Sequence, residues 1–261
     1  MTVRAAIQGI VRRHLPELYW GIKLFVAARQ ITTSGSPWSI LCLEDAALRT
    51  LIRRTLKDGG CGVDVGASGG DFTSVMAGTS ARGTHHAFEA NPIVAQSLAR
   101  RFRNRNVRVH NEAVSSEPGE AEFYSPPSNT GTGGLRITPS AAQEGPISRF
   151  RVPVKRLDDH LGEISECRII KLDIEGAELP ALRGGRNLIS RDRPLVYFEC
   201  MNHTSLYGYG TKDICEFLSS LGYDVYDPFS YLGGLAPLSE EGFADRVRHV
   251  RNYNFVAAAR R

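Results

Sequence analysis

The sequence predicts a doubly wound α/β fold, in which a mostly parallel sheet carries helices on both faces, preceded by an N-terminal helical extension. Two observations favour this class. From Cys61 onward, short strand-like runs alternate with helix-like runs, which is typical of crossover units. The composition, with 42% hydrophobic and 23% charged residues in 261, is that of an ordinary globular protein. We expect a helical extension over residues 1–58 and one domain over 59–261.

The N-terminal extension has helical periodicity. Apolar residues recur near helical spacing over residues 3–29, and a second helix is predicted over Glu44–Leu56. The first segment is locally basic, and Tyr19 and Trp20 add interfacial character. We favour a helix packed on the domain with its basic face in water. Peripheral contact with the inner membrane surface is the alternative interpretation.

The domain shows the elements of a parallel sheet in order. Strands are predicted at Gly62–Val65, His85–Glu89, Val107–Asn111, Ile169–Asp173, Leu195–Cys200, Tyr223–Tyr226 and Phe255–Ala259. Helices are predicted at Asp71–Ala77, Pro92–Phe102, Ala177–Leu188 and Lys212–Leu221. Ligands of such sheets bind beyond the carboxyl ends of the strands. We therefore expect the chemistry at Gly66–Gly70, Glu89–Asn91, Glu112–Ala113, Asp173–Glu178 and Glu199–His203.

A long segment rich in Gly, Ser, Thr and Pro, residues 125–146, interrupts the alternation. It lies between two strand-like runs, Ala121–Tyr124 and Phe150–Val154. Loops of this length in compact domains are usually either functional or poorly ordered. We favour a loop that covers the substrate over a mobile surface excursion.

Charge and cysteine content bear on partners and compartment. The formal net charge is only +4, so we expect no nucleic-acid partner. The five cysteines are never spaced as C-x-x-C, which argues against a disulfide framework and a zinc site. The N-terminal sequence lacks the unbroken apolar core of a signal peptide. We expect a cytoplasmic protein without a membrane-spanning helix.

The glycine-rich turn after the first strand indicates the kind of cofactor. A dinucleotide fingerprint needs glycines at positions one, three and six, but counting from Gly66 the latter two are Ser68 and Asp71. A P-loop needs a lysine after its last glycine, and none follows Gly70. Asp64 would repel a pyrophosphate and suits a cationic amino-acid group. The turn therefore favours S-adenosylmethionine over NAD.

Glu89 supports an adenosine-containing cofactor. It closes the second strand at about the twenty-residue spacing at which an acid can accept hydrogen bonds from ribose hydroxyls. NAD would use this acid as well, so the choice between the cofactors depends on the glycine pattern. An ordinary surface or capping acid ahead of Asn91 is the alternative interpretation.

Six motifs carry a family resemblance. They are VDVGASGGDFT, HAFEANP, NEAVSSEPGEAEFY, VPVKRLDDHL, IIKLDIEGAELPALRGG and PLVYFEC, in this order between Cys61 and Tyr226. The chain resembles the FkbM family of S-adenosylmethionine-dependent methyltransferases, and residues 170–178 are the most specific part. The resemblance implies a class I methyltransferase fold of the Rossmann type. It also implies O-methylation of hydroxyl groups on sugars, glycolipids or polyketides.

The resemblance also implies a cofactor site. Asp64 and Gly66 would line the methionine part, Glu89 the ribose and residues 111–113 the adenine edge, while Asp173 would face the transferred methyl group. The complete predicted set is Asp64, Gly66, Ala67, Ser68, Gly70, Glu89, Asn91, Glu112, Ala113 and Asp173.

A hydroxyl acceptor must also lose a proton, and a positioned base contributes ~10²–10⁴ in rate. The candidates that follow the fourth and fifth strands are Asp173, Glu175, Glu178, Glu199 and His203. We predict catalytic roles for His203, Asp173 and Glu199, and a structural role for Glu178 at a helix N-terminus. His85 and His86 lie within a strand and are predicted to be structural, while His160 and His249 have no motif around them.

A metal ion is a further possibility at these acids. If the chain is extended beyond Asp173, then Asp173 and Glu175 project the same way and could meet Glu199 around Mg²⁺. In the alternative, Lys171 or other basic groups neutralise these acids, or the acids point apart. We favour a metal-independent base and assign no metal ligands.

Three functions are compatible with the sequence. The favoured one is an S-adenosylmethionine-dependent O-methyltransferase that acts on a small-molecule, glycan or glycolipid acceptor. The alternatives are a nicotinamide-dependent oxidoreductase and a non-catalytic cofactor-binding module on a similar fold.

Overall fold

The computed structural model describes residues 37–126 and 130–260. The predicted basic helix over residues 3–29 lies outside the described residues. Ten strands are present: β1 (Cys61–Val65), β2 (His85–Phe88), β3 (Val107–His110), β4 (Ala113–Val114), β5 (Gly119–Ser125), β6 (Ser148–Lys155), β7 (Cys167–Leu172), β8 (Leu195–Glu199), β9 (Tyr223–Tyr226) and β10 (Asn254–Ala259). The helices are α1 (Pro37–Leu56), α2 (Asp71–Thr79), α3 (Pro92–Arg101), α4 (Pro139–Gln143), α5 (Glu178–Gly184), α6 (Arg186–Asp192), α7 (Thr211–Ser220), α8 (Pro228–Leu232) and α9 (Glu240–Arg248).

Seven strands form the main sheet in the order β3-β2-β1-β7-β8-β10-β9, and β10 runs antiparallel to both of its neighbours. The strand order reverses between β1 and β7, since β2 and β3 lie on one side of this pair and β8 on the other. Such a switch point opens a crevice at the carboxyl edge of the sheet. The predicted α/β class with a mostly parallel sheet is confirmed.

The central strands are buried along their length, including the polar side chains that they carry, such as Asp64 and His85. Every residue of β1 and β2 is buried, because helices cover both faces of the sheet. One face carries the larger core, which includes Val63, Ile170 and Phe198. Side chains of α1 and α2 pack on the other face together with Ile169 and Tyr197. The buried strands fix the positions of the loops at their carboxyl ends.

Helix α1 is bound to the sheet. Its residues Leu48, Leu51 and Ile52 are buried in the core beneath the sheet. The Glu44 carboxylate accepts hydrogen bonds from the side chains of Asn252 and Asn254. The described helix covers Pro37–Leu56 and includes the predicted helix over Glu44–Leu56, and the domain boundary after residue 58 stays a prediction. None of the described helices is long and apolar enough to cross a bilayer.

The helix predicted over Ala177–Leu188 is wrong as a single element. The chain forms α5 and α6 instead, which meet at Gly185. Gly184 lies so close to the Ser115 carbonyl that a Cβ atom there would overlap it. A continuous apolar pattern could not show this close approach, which permits only glycine.

The segment over residues 125–146 contains more structure than the predicted loop. A three-stranded second sheet, in the order β4-β6-β5, precedes and follows it. Tyr124 pairs with Gly134 in an antiparallel bridge, and Thr138 caps α4. Residues 127–129 lie outside the described residues. The described part of the segment is folded back against the domain.

Candidate functional site

A cleft lies at the carboxyl edge of the sheet, at the switch point. It encloses about 540 Å³ of space between atoms, a volume that includes open solvent at its mouth. Six predicted cofactor residues line it: Gly66, Ser68, Glu89, Glu112, Ala113 and Asp173. The remaining wall includes Phe88, Phe123, Ile174 and the glycine-rich part of the segment over residues 125–146. The sheet topology therefore brings together side chains that are far apart in sequence.

The turn after β1 packs closely against the residues that follow β7. Gly66 has φ 76°, and a Cβ atom there would overlap the Asp173 carbonyl oxygen. The Gly66 and Ala67 N–H groups both donate to the Phe88 carbonyl, and the Gly70 N–H donates to the Ala67 carbonyl. A pyrophosphate cradle needs free backbone N–H groups directed at the ligand. These three N–H groups are engaged within the protein, which agrees with a cofactor that lacks phosphates.

Glu89 is held by backbone donors on both sides. Its Oε2 atom accepts from the Ser68 N–H and its Oε1 atom from the Asn91 N–H, both at 2.8 Å. Burial raises the pKa of Glu89, and the two N–H groups oppose that shift. A carboxylate has about four acceptor positions, so further hydroxyl groups can still donate to it. The side chain is fixed at the cleft and can receive a ribose.

Four predicted cofactor residues lie behind the cleft wall rather than on it. The Asp64 carboxylate accepts from the Thr73 hydroxyl at 2.6 Å. Ala67 packs in a small core with Leu98, and a side chain at Gly70 would collide with that same leucine. Asn91 caps α3. These residues support the cleft from the second layer.

Lys171 connects the turn with the end of β7. Its Nζ atom lies 3.3 Å from both Asp64 and Asp173, and it donates to the Gly66 carbonyl at 2.7 Å. Burial would lower the pKa of Lys171, but the two carboxylates outweigh it and raise that pKa. The cation beside Asp64 is therefore an internal lysine.

The chain does not stay extended beyond β7. Glu175 has φ 56° and Gly176 has φ 100°, so the backbone turns there. The extended conformation under which Asp173 and Glu175 would project the same way is therefore not present. Among the described residues, two groups of three side chains bring possible metal-ligand atoms within 4.8 Å of one another, and both groups contain histidine. Neither group includes Asp173, Glu175 or Glu199, so the Mg²⁺ hypothesis at these acids lacks support.

Glu175 instead faces His203. The Glu175 Oε2 atom lies 3.4 Å from the His203 Nδ1 atom, and both side chains are largely buried. Burial raises the pKa of Glu175, and the bond to His203 opposes that shift. A Cβ atom at Gly134, on the cleft wall, would lie 3.3 Å from the Glu175 Cβ atom. The histidine–carboxylate pair therefore adjoins the cleft.

Glu199 and Glu178 are less accessible acids. Burial raises the pKa of Glu199 well above its usual value, and Asp173 and Glu175 add to this shift. Glu178 opens α5, where its Oε1 atom accepts from the backbone N–H groups of Ile174 and Gly176. Burial raises the pKa of Glu178 to about 7. Neither acid lines the cleft.

Sequence reasoning did not identify several parts of the wall. The family resemblance assigns Asn111 to the adenine edge, but this residue does not line the cleft, and its side-chain amide donates to the backbone carbonyls of Glu89 and Ala90. Gly131, Gly133 and Gly134 line the cleft, and their glycine-rich sequence was the available signal. No sequence motif marked Phe123 as a cleft residue, because it lies in β5 of the second sheet and not in a loop that follows a strand of the main sheet.

Comparisons with known proteins agree with this geometry. The family model described as the methyltransferase FkbM domain matches residues 64–225. Over 141 residues, the chain is 30% identical to Methyltransferase 1 of Beauveria bassiana (strain ARSEF 2860), a match that covers 47% of this chain and 57% of that protein. The match therefore spans little more than half the length of this curated relative.

A solved structure shows the same fold. It is that of the methyltransferase FkbM from Methylobacillus flagellatus KT, with a TM-score of 0.50 and 17% identity, and the similarity covers 96% of this chain and 60% of that one. The fold is that of class I methyltransferases, as the sequence predicted. Because the family model matches residues 64–225, which is well over half of the chain, the chain belongs to the FkbM methyltransferase family.

Proposed function

We propose that this protein is an S-adenosylmethionine-dependent O-methyltransferase with a hydroxyl-bearing sugar, glycolipid or polyketide-type acceptor. The observation that carries the proposal is the cleft at the switch point, with Glu89 fixed on one side and the Glu175–His203 pair beside the other. The cofactor supplies a methyl group on a sulfonium when it is bound.

The residues of the first half of the cleft fit this cofactor. Glu89 can accept the ribose hydroxyls, while Glu112 and Ala113 form the wall beside it. The carboxylate of Asp173 reaches the cleft with its side chain 39% exposed, where a cationic amino-acid group can approach it. The main contribution of these residues is positioning, which is worth ~7–11 kcal/mol in a well-oriented displacement.

The residues of the second half supply a base. The His203 Nδ1 atom lies 3.4 Å from the Glu175 carboxylate, which leaves its Nε2 atom to accept the proton of an acceptor hydroxyl. Glu175 then orients the ring, as the orienting acid does in other nucleophile-activating pairs. We therefore place the base at His203 and not at Glu199, whose neutral form is favoured by burial.

The acceptor class rests on the family and on the shape of the site. The described part of the 125–146 segment contributes Gly133, Gly134 and Leu135 to the wall, so that segment is placed to contact an acceptor. The preferred role as a substrate-covering loop is part of this proposal.

The two alternative functions have less support. A nicotinamide cofactor needs a pyrophosphate site, and the first turn has its N–H groups engaged elsewhere. A non-catalytic binding module would not need an oriented histidine beside the cleft.

The test is methyl transfer from labelled S-adenosylmethionine into glycan and lipid extracts by the full chain. We expect His203→Ala to lower the rate by ~10²–10⁴ and Glu175→Gln to lower it less, while cofactor affinity stays within twofold or so. His249→Ala is the matched control, since this exposed histidine also faces a carboxylate, that of Asp245. Transfer at the wild-type rate by His203→Ala would remove the base from the proposal. Binding of NADH in place of S-adenosylmethionine would refute the proposal as a whole.

A further inference from the structure

A cluster of two histidines and an acid lies beside the cleft, and it shares Glu112 with the proposed cofactor wall. His110 ends β3, Glu112 follows in the loop before β4, and His160 ends the short 3-10 turn Leu157–His160. One ligand atom from each of the three side chains lies within 4.8 Å of the others. The tertiary structure therefore brings two imidazoles and one carboxylate to a single point.

The ligand atoms of this cluster are crowded together away from solvent. Glu112 Oε1 and His160 Nε2 are buried and lie 2.5 Å apart, although not in the geometry of a good hydrogen bond. The His110 Nδ1 atom lies 3.9 Å from the same Glu112 oxygen. A bound ion would lie within reach of all three groups.

His110 is oriented in the way that metal-ligating histidines are. Its Nε2 atom lies 3.0 Å from His86 Nδ1, and its ring stacks on Phe88 with 4.4 Å between centroids. Ligating histidines typically donate their other N–H group to a second residue, which fixes the ring.

We propose that His110, Glu112 and His160 form a binding site for a divalent transition-metal ion, with Zn²⁺ as the best fit. Two imidazoles and one carboxylate form a known zinc ligand set, with ligand atoms ~2.0–2.2 Å from the metal. At tetrahedral angles such atoms lie about 3.4 Å apart. This spacing falls between the two distances found here from Glu112 Oε1, which are 2.5 Å to His160 Nε2 and 3.9 Å to His110 Nδ1. Imidazole ligands disfavour Mg²⁺, which prefers oxygen.

A second histidine group nearby is a weaker candidate. It combines His86 and His110 with Glu163. The Glu163 carboxylate is already bonded to the Arg108 guanidinium at 2.5 Å, and this cation competes with a metal ion. The metal is therefore placed on the Glu112 side.

The site would connect three segments beside the cleft, one of which forms part of its wall. Glu112 itself lines the cleft, as does Phe88, on which His110 stacks. A metal ion would hold the end of β3, the loop before β4 and the turn after β6 together. The role is structural and does not depend on the proposed methyl transfer.

The test is zinc titration of the full-length protein, stripped with a chelator, by calorimetry, with Co²⁺ absorption as a second readout of the ligand set. We expect one Zn²⁺ per chain, a rise in melting temperature on binding, and no comparable effect of Mg²⁺. His160→Ala and Glu112→Gln should each weaken zinc binding at least 100-fold, and His86→Ala about 10–100-fold as an outer partner. His249→Ala should leave it unchanged.

The outcomes are distinct. Absence of stoichiometric zinc binding by the wild-type protein would overturn the proposal, as would wild-type affinity in both His160→Ala and Glu112→Gln. Circular dichroism of each variant shows whether it is folded. Should His160→Ala fail to fold, the near-isosteric Glu112→Gln decides, because it removes a charged ligand and keeps the shape of the side chain.

Discussion

The two sides of the cleft use buried polar groups in opposite ways. On the β1–β2 side, Glu89 receives two backbone N–H groups, and Lys171 reaches across from β7 to neutralise Asp64. On the β7–β8 side, the acids Glu175, Glu178 and Glu199 lie near one another, and burial raises the pKa of each. The first side is pre-organised to hold a ligand in place. The second holds acids whose protonated forms are favoured by burial.

The largest expected effect tests the close packing of the first side. In Gly66→Ala, a Cβ atom would overlap the Asp173 carbonyl, and the residue would keep a φ of 76° that costs an L-residue ~1–2 kcal/mol. We expect lower thermal stability and loss of S-adenosylmethionine binding by calorimetry. Gly69→Ala is the matched control in the same turn, since a Cβ atom there meets nothing within 4 Å. Equal losses in the two variants would show that the close approach is not what matters.

The next effect concerns the buried acids of the second side. Burial raises the pKa of Glu178 from 4.5 to about 7, so the unfolded chain releases this proton at lower pH than the folded protein. The folded state then binds more protons between these values, and stability falls as pH rises from about 4.5 to 7. The full penalty above pH 7 is about 3 kcal/mol.

Glu178→Gln isolates this contribution. The Tyr209 hydroxyl donates its proton to the Gly176 carbonyl, so it can only accept from the side chain at position 178. A glutamine offers an amide donor there and keeps an oxygen for the backbone N–H groups. Urea unfolding at pH 5 and pH 8 should show the variant gaining on the wild type by up to about 3 kcal/mol at the higher pH. A difference that does not change with pH would mean that Glu178 is ionised in the folded protein.

Glu89 tests the ligand-holding function of the first side. Hydrogen bonds to a charged group are worth ~1.5–3 kcal/mol, so Glu89→Ala should weaken S-adenosylmethionine binding roughly 10- to 150-fold. Equilibrium dialysis measures the affinity, and Glu122→Ala, on exposed β5, serves as a control. Unchanged affinity in a folded Glu89→Ala protein would remove this residue from the cofactor site.

The smallest effect separates the buried network from the surface of the same turn. Arg101 forms an exposed ion pair with Asp71 at 3.2 Å. Exposed pairs contribute ~0–1 kcal/mol, so Arg101→Ala should change the free energy of unfolding by no more than that and leave cofactor affinity intact. A larger loss would show that the surface pair supports the turn as the buried Lys171 does.

Patterns local in sequence predicted most of the fold. The central strands were located to within about two residues because short apolar, β-branched runs alternate there with helix-like segments. The break between α5 and α6 at Gly185, next to the approach of Gly184 to Ser115, was not visible in the apolar pattern of residues 177–188. The spacing of apolar residues indicates which face of a helix is buried, but it does not indicate which backbone atoms an individual glycine contacts.

The sequence by itself determined the fold class, the family and the glycine-rich turn that lines the cleft, because glycine pattern, strand spacing and motif order are properties of the chain. The tertiary structure decided which polar side chains meet. Lys171 between Asp64 and Asp173, Glu175 beside His203, and His110 with Glu112 and His160 each join segments whose separation carries no fixed spacing. Such contacts depend on the order of strands in the sheet and on turns such as the left-handed one at Glu175, and neither can be counted along the sequence.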